Sequence, residues 1–149
     1  MADASGSRRD AIATLALADP TDLAARWEAF APKPAHVVVR GPETGLVMVR
    51  GRIGGAGAPF NLGEATMTRC VVRLEGGEVG FGNVLGRDGE HARIAALFDA
   101  LGQHPALGPR VAAEVLAPLS AAREARTRRD AEEVAATRVE FFTMVRGED

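Results

Sequence analysis

Arginines and glycines are concentrated in one stretch in the middle of the chain, residues 48–70. Five glycines and three arginines lie within these 23 residues. A glycine-rich backbone can turn its N–H groups toward an anion, and arginine pairs with phosphate or carboxylate oxygens through two parallel bonds. The stretch is therefore a candidate phosphate or substrate site, whose binding residues would be Arg50, Arg52, Gly54, Gly55, Gly57 and Arg69.

The same glycines also fit a simpler interpretation, a loop between two strands in which glycine permits positive φ. Neither common phosphate signature is complete. No Gly-Lys-Ser/Thr is present to make a P-loop. Gly55-Ala-Gly57 is followed by Phe60 at the position where a dinucleotide-binding fingerprint needs a third glycine. On the residues alone, the inter-strand loop is favoured over the anion site.

A second candidate anion site lies at residues 86–91, where a helix is predicted to begin. Helix N-termini attract anions, and Arg87 and His91 would add charge-assisted hydrogen bonds to a phosphate. The simpler interpretation is that Asp88 caps the helix and that Arg87 pairs with a carboxylate, and the residues favour it. None of the three histidines has the spacing of a metal-ligand pair, so no metal site is expected.

Composition excludes several classes of function. Eighteen basic residues against twenty acidic ones give a net charge of -2, which offers no general attraction to nucleic acid or to an anionic membrane. The single cysteine excludes an internal disulfide and an iron–sulfur cluster held by this chain alone. The first ten residues lack the apolar core of a secretory signal, and no apolar run approaches the roughly 18 residues of a membrane span. We therefore expect a cytoplasmic protein.

The elements that must position these residues predict a single α+β domain over residues 1–149. Residues 1–7 are expected to be disordered, and helices follow at residues 8–18 and from Asp19-Pro20 onward. The period then changes to that of strands, predicted at residues 35–40, 46–50, 64–74 and 79–85. Turns are expected at residues 41–45 and 75–78, with the glycine loop at residues 51–61. Short turns between sequential strands predict an antiparallel sheet of about four strands flanked by N-terminal and C-terminal helices.

Helical periodicity returns after Gly86, with one helix that Asp88 caps and a second helical region at residues 108–134, interrupted near Pro118. Residues 123–133 are almost bare of large apolar side chains, which predicts a solvated or bridging helix. The final segment, residues 137–149, is β-like in composition. It either adds a strand to its own sheet or docks on a partner, and its candidate interface residues are Phe141, Phe142, Met144 and Arg146.

Several longer motifs, in a fixed order along the chain, resemble the G subunits of the bacterial carbon–phosphorus lyase core complex, a family of phosphonate catabolism. The resemblance covers most of the sequence, except for the first 20 or so residues and residues 104–116 and 121–135. The matching motifs are ETGLV at residues 43–47, RIGGAG at 52–57, GEATMTR at 63–69, LGRD at 85–88 with His91, DAL at 99–101 with Gln103, APL at 117–119 and RVEFFTMVRG at 138–147.

This resemblance implies a subunit of an enzyme complex. Its partners would be the H, I and J core subunits, principally the I subunit, and an ATP-binding-cassette-like subunit. The complex would use MgATP and an alkyl phosphonate to form a ribose 1-phosphonate 5-triphosphate and release adenine. The resemblance places an iron–sulfur cluster and S-adenosylmethionine on another subunit and implies no cofactor bound by this chain alone.

The resemblance assigns no catalytic residue to this chain, so three roles stay open. The first is a structural or assembly subunit, and the second is a subunit that also contributes residues to the active site. A free-standing anion-binding or nucleotide-binding α+β module is the third. The isolated chain is expected to be inactive.

Overall fold

The computed structural model describes the backbone of residues 4–137 and the side chains of residues 8–137. The predicted interface residues of the C-terminal segment, Phe141, Phe142, Met144 and Arg146, lie outside these described residues. No helix in the described range is both long enough and apolar enough to cross a membrane.

Two helices come first, α1 (Ala4–Ala16) and α2 (Pro20–Ala29). Asp19 caps α2 as predicted, because its carboxylate accepts the backbone N–H groups of Thr21 and Asp22. The apolar stripe predicted for this helix is buried and consists of Leu23, Trp27 and Phe30. The rings of Trp27 and Phe30 pack edge-on against Phe98, with ring centroids 5.5 and 5.6 Å away.

Three antiparallel strands form one sheet in the order β1 (His36–Arg52), β2 (Pro59–Leu74) and β3 (Val79–Leu85). β2 pairs with β1 along nearly its whole length but with β3 only over residues 67–73. The hairpin of β1 and β2 therefore extends past the end of β3. We call this extension, residues 46–66, the arm.

The predicted sheet of four strands is wrong in one respect, because residues 35–40 and 46–50 belong to one strand, β1. Residues 41–45 do not form the expected turn. The strand instead continues through irregularities between Val38 and Arg40 and between Arg40 and Glu43. Proline is tolerated at an irregularity of an edge strand, and Pro42 lies there. The glycine and proline that suggested a turn, Gly41 and Pro42, both lie in the second of these irregularities.

The alternation predicted for β2 is confirmed. Thr68, Cys70, Val72 and Leu74 are buried on the face that packs against the helices, whereas Arg69 and Arg73 are exposed on the other face. Burial raises the pKa of the Cys70 thiol, so this side chain packs as a small apolar group.

The buried face of the sheet is covered by α3 (Gly89–Gln103), whose predicted apolar stripe of Ile94, Leu97, Phe98 and Leu101 is buried. Two glycines of β3 allow the close approach. A Cβ atom added at Gly80 would overlap the carbonyl oxygen of Ala96, and one added at Gly82 would overlap that of Ala92. The absence of side chains at these two positions therefore sets the distance between helix and sheet.

The last helical region is continuous but irregular. It consists of the single turn α4 (Gly108–Arg110), a π-helical segment (Val111–Leu116) and α5 (Ala117–Ala136). The interruption predicted near Pro118 takes the form of the π-helical segment just before it. Leu119 is the one buried residue of α5, and most of the rest of this helix is exposed, as its polar sequence predicts.

Candidate functional site

The arm carries large apolar side chains that face solvent. Within it, the exposed fractions range from 37% at Val49 to 67% at Leu62. The group comprises Leu46, Met48, Val49, Ile53, Phe60 and Leu62. Scattered exposed apolar residues are normal, but a contiguous group of them marks an interaction surface.

Both faces of the arm contribute to this apolar surface. Successive strand residues point to opposite faces, so Leu46 and Met48 share one face of β1 and Val49 lies on the other. Phe60 is the cross-strand partner of Gly51 on that second face. Its ring contacts the position that a Cβ of Gly51 would occupy, at 3.4 Å. A partner that covers the arm must therefore contact it on both faces.

The glycine loop forms the tip of the arm, a short 3₁₀ turn at Ile53–Gly55. The backbone N–H of Gly57 donates to the carbonyl of Ile53 at 2.8 Å and closes the turn. Gly54 and Gly55 have φ of 58° and 81°, the left-handed region that favours glycine. A Cβ added at Gly57 would overlap the carbonyl oxygen of Ile53. The geometry of the turn thus requires these three glycines without any ligand.

Two hydroxyl contacts fix the base of the arm. The Thr68 hydroxyl donates to the carbonyl of Gly86 at 2.7 Å and lies 2.9 Å from the Thr44 hydroxyl. Thr68 is 1% exposed. The contacts therefore connect β1, β2 and the loop after β3 at the point where the arm leaves the sheet.

A charged cluster lies at the same level of the sheet on its outer face, opposite these hydroxyls. The Arg69 guanidinium donates to the Glu43 carboxylate at 2.7 Å, and Arg40 contacts the same carboxylate. Arg69 and Arg40 together hold the pKa of Glu43 below its ordinary value. Arg69, one of the predicted anion-binding residues, therefore already has an acidic partner within the chain.

The predicted anion-binding residues do not meet in one place. Arg50 and Arg52 lie next to the tip, where Arg52 donates to the carbonyl of Gly57 at 3.2 Å. Arg50 pairs across the hairpin with Asn61, eight residues along β2 from Arg69. At about 3.3 Å per residue, Arg69 lies about 26 Å from that pair, too far to share one phosphate. Neither Arg50 nor Arg52 forms an ion pair with another described residue.

At the second predicted anion site, Asp88 and His91 both have structural roles within the chain. Asp88 accepts the backbone N–H of His91 at 2.8 Å and caps α3 as predicted. The His91 ring is buried, and its Nε2 lies 2.8 Å from the carbonyl oxygen of Leu15, so it donates there and ties α3 to α1. Arg87 is exposed in the loop before α3.

The sequence reasoning missed Asp99, a buried carboxylate of α3. Asp99 accepts two hydrogen bonds from Arg8, at 3.1 and 2.9 Å, and one from the backbone N–H of Phe81 at 2.9 Å. It lies beside an open cavity of about 430 Å³ between α1, α3 and the π-helical segment. The residues that bind Asp99 lie far from it in the sequence, so no local sequence pattern predicts this cluster.

Across residues 4–137, no three His, Cys, Asp or Glu side chains are placed to hold a metal ion. The arm exposes large apolar side chains and the second half of α5 exposes polar ones, and both surfaces are suited to contact with another protein. The geometry therefore indicates a subunit that docks.

Comparison with known proteins agrees with this picture. The family model described as "Phosphonate metabolism protein PhnG" matches residues 6–147. The chain is also 58% identical over 143 residues to the alpha-D-ribose 1-methylphosphonate 5-triphosphate synthase subunit PhnG of Rhizobium meliloti (strain 1021). That match covers 95% of this chain and 90% of the relative. The resemblance inferred from the motifs is confirmed, and the chain belongs to the PhnG family of phosphonate metabolism proteins.

Proposed function

We propose that this chain is the PhnG subunit of an α-D-ribose 1-methylphosphonate 5-triphosphate synthase and that it acts only within that complex. The observation that carries the proposal is 58% identity to a subunit of that enzyme over nearly the full length of both chains. The exposed arm supports it, because an apolar surface on both faces of a hairpin is suited to burial between other subunits.

In the proposed reaction, a phosphonate oxygen forms a bond to C1′ of the ribose of MgATP. The bond between C1′ and N9 of adenine breaks, its electron pair stays on N9, and N9 takes up a proton. MgATP is a substrate here and not a cofactor held by this chain. The products are the ribose 1-phosphonate 5-triphosphate and adenine.

The finer assignments follow the family resemblance. The proposed partners are the H, I and J core subunits and an ATP-binding-cassette-like subunit, and the I subunit is the first to test. The proposed location of the complex is the cytoplasm. Iron–sulfur and S-adenosylmethionine chemistry is assigned to another subunit. The C-terminal residues Phe141, Phe142, Met144 and Arg146 are proposed as a further contact with these partners.

Arg50 and Arg52 are the two predicted substrate-binding residues that the geometry favours most. They lie beside the tip of the arm without an acidic partner among the described residues. Guanidinium groups suit the oxygens of a triphosphate or phosphonate. We therefore propose that a docked arm brings these two side chains to the edge of the active site. Arg69 and His91 already have partners within the chain, which makes them weaker candidates, and Arg87 is a second-rank candidate.

Reconstitution tests the proposal. The tagged chain is coexpressed with the other synthase subunits, and the purified material is assayed for adenine released from MgATP and methylphosphonate. We expect a stable complex that releases adenine, and no release from the chain alone. Full activity of the other subunits when this chain is omitted would contradict the proposal.

A further inference from the structure

The register of the sheet determines which backbone groups of the edge strands point outward. The N–H of Leu74 donates to Glu78, and the carbonyl of Thr66 accepts from Gly86, so the even-numbered residues of β2 turn their backbone groups toward β3. Odd-numbered residues of β2 turn theirs toward β1, in agreement with the bond from Glu75 to the carbonyl of Ala35. This alternation follows from antiparallel pairing.

The outer edge of β3 is closed by side chains. Its outward carbonyl at Val79 accepts bonds from Arg8 at 3.0 Å and Gln103 at 2.8 Å. Its outward N–H at Phe81 is bound by Asp99. An extended segment therefore cannot pair with this part of the edge without displacing three side chains.

The outer edge of β1 is different. The cross-strand partners of Thr44, Leu46 and Met48 are even-numbered residues of β2, so the backbone N–H and C=O groups of these three residues point away from the sheet. No hydrogen bond to these outward groups is formed by any described residue. Among the described residues, this edge is thus a row of backbone donors and acceptors without partners.

The stretch from residue 44 to residue 49 also lacks the features that usually protect an edge. It contains no charged residue and no proline. Pro42 and two irregularities precede it, and a third irregularity and Arg50 follow it. Six residues is the usual length of a strand. The side chains of Leu46 and Met48 are 64% and 52% exposed, so an added strand would find apolar neighbours on the same face.

We propose that an uncharged, apolar extended segment of another subunit of the synthase adds a fourth strand to the sheet at residues 44–49 of β1. This inference rests on the proposed function and describes how that subunit binds to this chain. The absence of charge over the six residues selects an uncharged segment, because a buried unpaired charge beside them would be costly. Main-chain hydrogen bonds supply the affinity and the alternating apolar side chains supply the specificity.

Residue-resolved hydrogen exchange tests the proposal. The ¹⁵N-labelled chain is exchanged alone and in the purified complex, quenched, and read by NMR in a denaturing solvent. We expect the N–H groups of Leu46 and Met48 to exchange about 100-fold or more slowly in the complex. The N–H of Phe81, already bound by Asp99, serves as the internal control and should change little.

Three results would overturn the strand addition. Fast exchange of Leu46 and Met48 in the complex would mean that no strand is added there. Protection in the isolated chain that grows with protein concentration would assign the edge to a second copy of this chain. Protection in the isolated chain that disappears on truncation after Thr137 would assign it to residues 138–149. Failure to copurify would instead count against the proposed function, so the two failures are distinguishable.

Discussion

The Asp99 carboxylate accepts the backbone N–H of Phe81 at 2.9 Å, so a side chain of α3 closes the outer edge of β3. The opposite edge of the same sheet, along β1, has no such closure among the described residues. Natural proteins protect their strand edges against pairing with other chains. A sheet that is protected on one side and open on the other therefore indicates where a partner pairs.

Asp99→Ala should destabilise the fold by about 1–3 kcal/mol, because it leaves the partly buried N–H of Phe81 without its acceptor. Urea unfolding followed by circular dichroism measures the change. Glu64→Ala removes an exposed carboxylate of the arm and should stay within about 0.5 kcal/mol of the wild type. Equal stability of the two variants would mean that the hydrogen bonds of Asp99 at the edge of β3 contribute nothing to the free energy of unfolding.

Gly82→Ala should destabilise the chain by about 3 kcal/mol or more, because the added methyl overlaps the carbonyl oxygen of Ala92 and forces α3 away from the sheet. Gly63→Ala is the matched control, since a Cβ at Gly63 meets nothing within 4 Å. Thermal unfolding of both variants measures the difference. A Gly82→Ala variant as stable as Gly63→Ala would show that helix and sheet are not in close contact at this position.

Thr68→Val should cost about 1–2 kcal/mol, because the methyl group that replaces the hydroxyl leaves the carbonyl of Gly86 without its donor. In Thr44→Val the hydroxyl of Thr68 still donates to Gly86, so a smaller loss is expected in urea unfolding. If Thr44→Val proved the more damaging of the two, the bond to Gly86 would not be what fixes the base of the arm.

Arg69→Gln should raise the pKa of Glu43 toward its ordinary value, because the Arg69 hydrogen bond is the largest cause of the lowered pKa. A carboxyl group with a lowered pKa in the folded state stabilises the fold above its unfolded pKa, and that stabilisation is lost as the pH falls through the folded pKa. Carbon-13 NMR titration of the Glu43 carboxyl group measures the shift. An unchanged titration would exclude the ion pair in solution.

Arg50→Gln combined with Arg52→Gln should leave assembly of the synthase intact and lower adenine release by about tenfold or more, if these side chains contact substrate oxygens. Copurification measures assembly, and chromatography of released adenine measures activity. Arg73→Gln, at an exposed position on the outer face of the sheet, is the control. Full activity of the double variant would remove both residues from the substrate site.

The sequence predicted the features that depend on neighbouring residues. The caps at Asp19 and Asp88, the buried stripes of α2 and α3 and the alternation of β2 follow from short periods and local chemistry. The glycines at residues 54–57 lie in a turn between two strands, as the loop interpretation predicts.

The remaining features depend on distant contacts. Glycine and proline at residues 41–42 mark an irregular backbone, but pairing with β2 decides between a bulge and a turn. Arg8 and Asp99 are 91 residues apart, so nothing local links them. The arm extends past β3 because β2 is longer than β3. The helices cover a different part of the sheet, and this packing, which the local sequence does not indicate, leaves the apolar side chains of the arm exposed.

The most direct test of the central claim, docking through the arm, replaces Leu46, Met48, Phe60 and Leu62 together by serine in the tagged chain. The account predicts that this variant keeps the circular dichroism and thermal midpoint of the wild type but no longer copurifies with the other synthase subunits. Leu17→Ser, at an exposed apolar position outside both the arm and α5, should copurify normally. A complete, active complex formed by the four-residue variant would contradict the account.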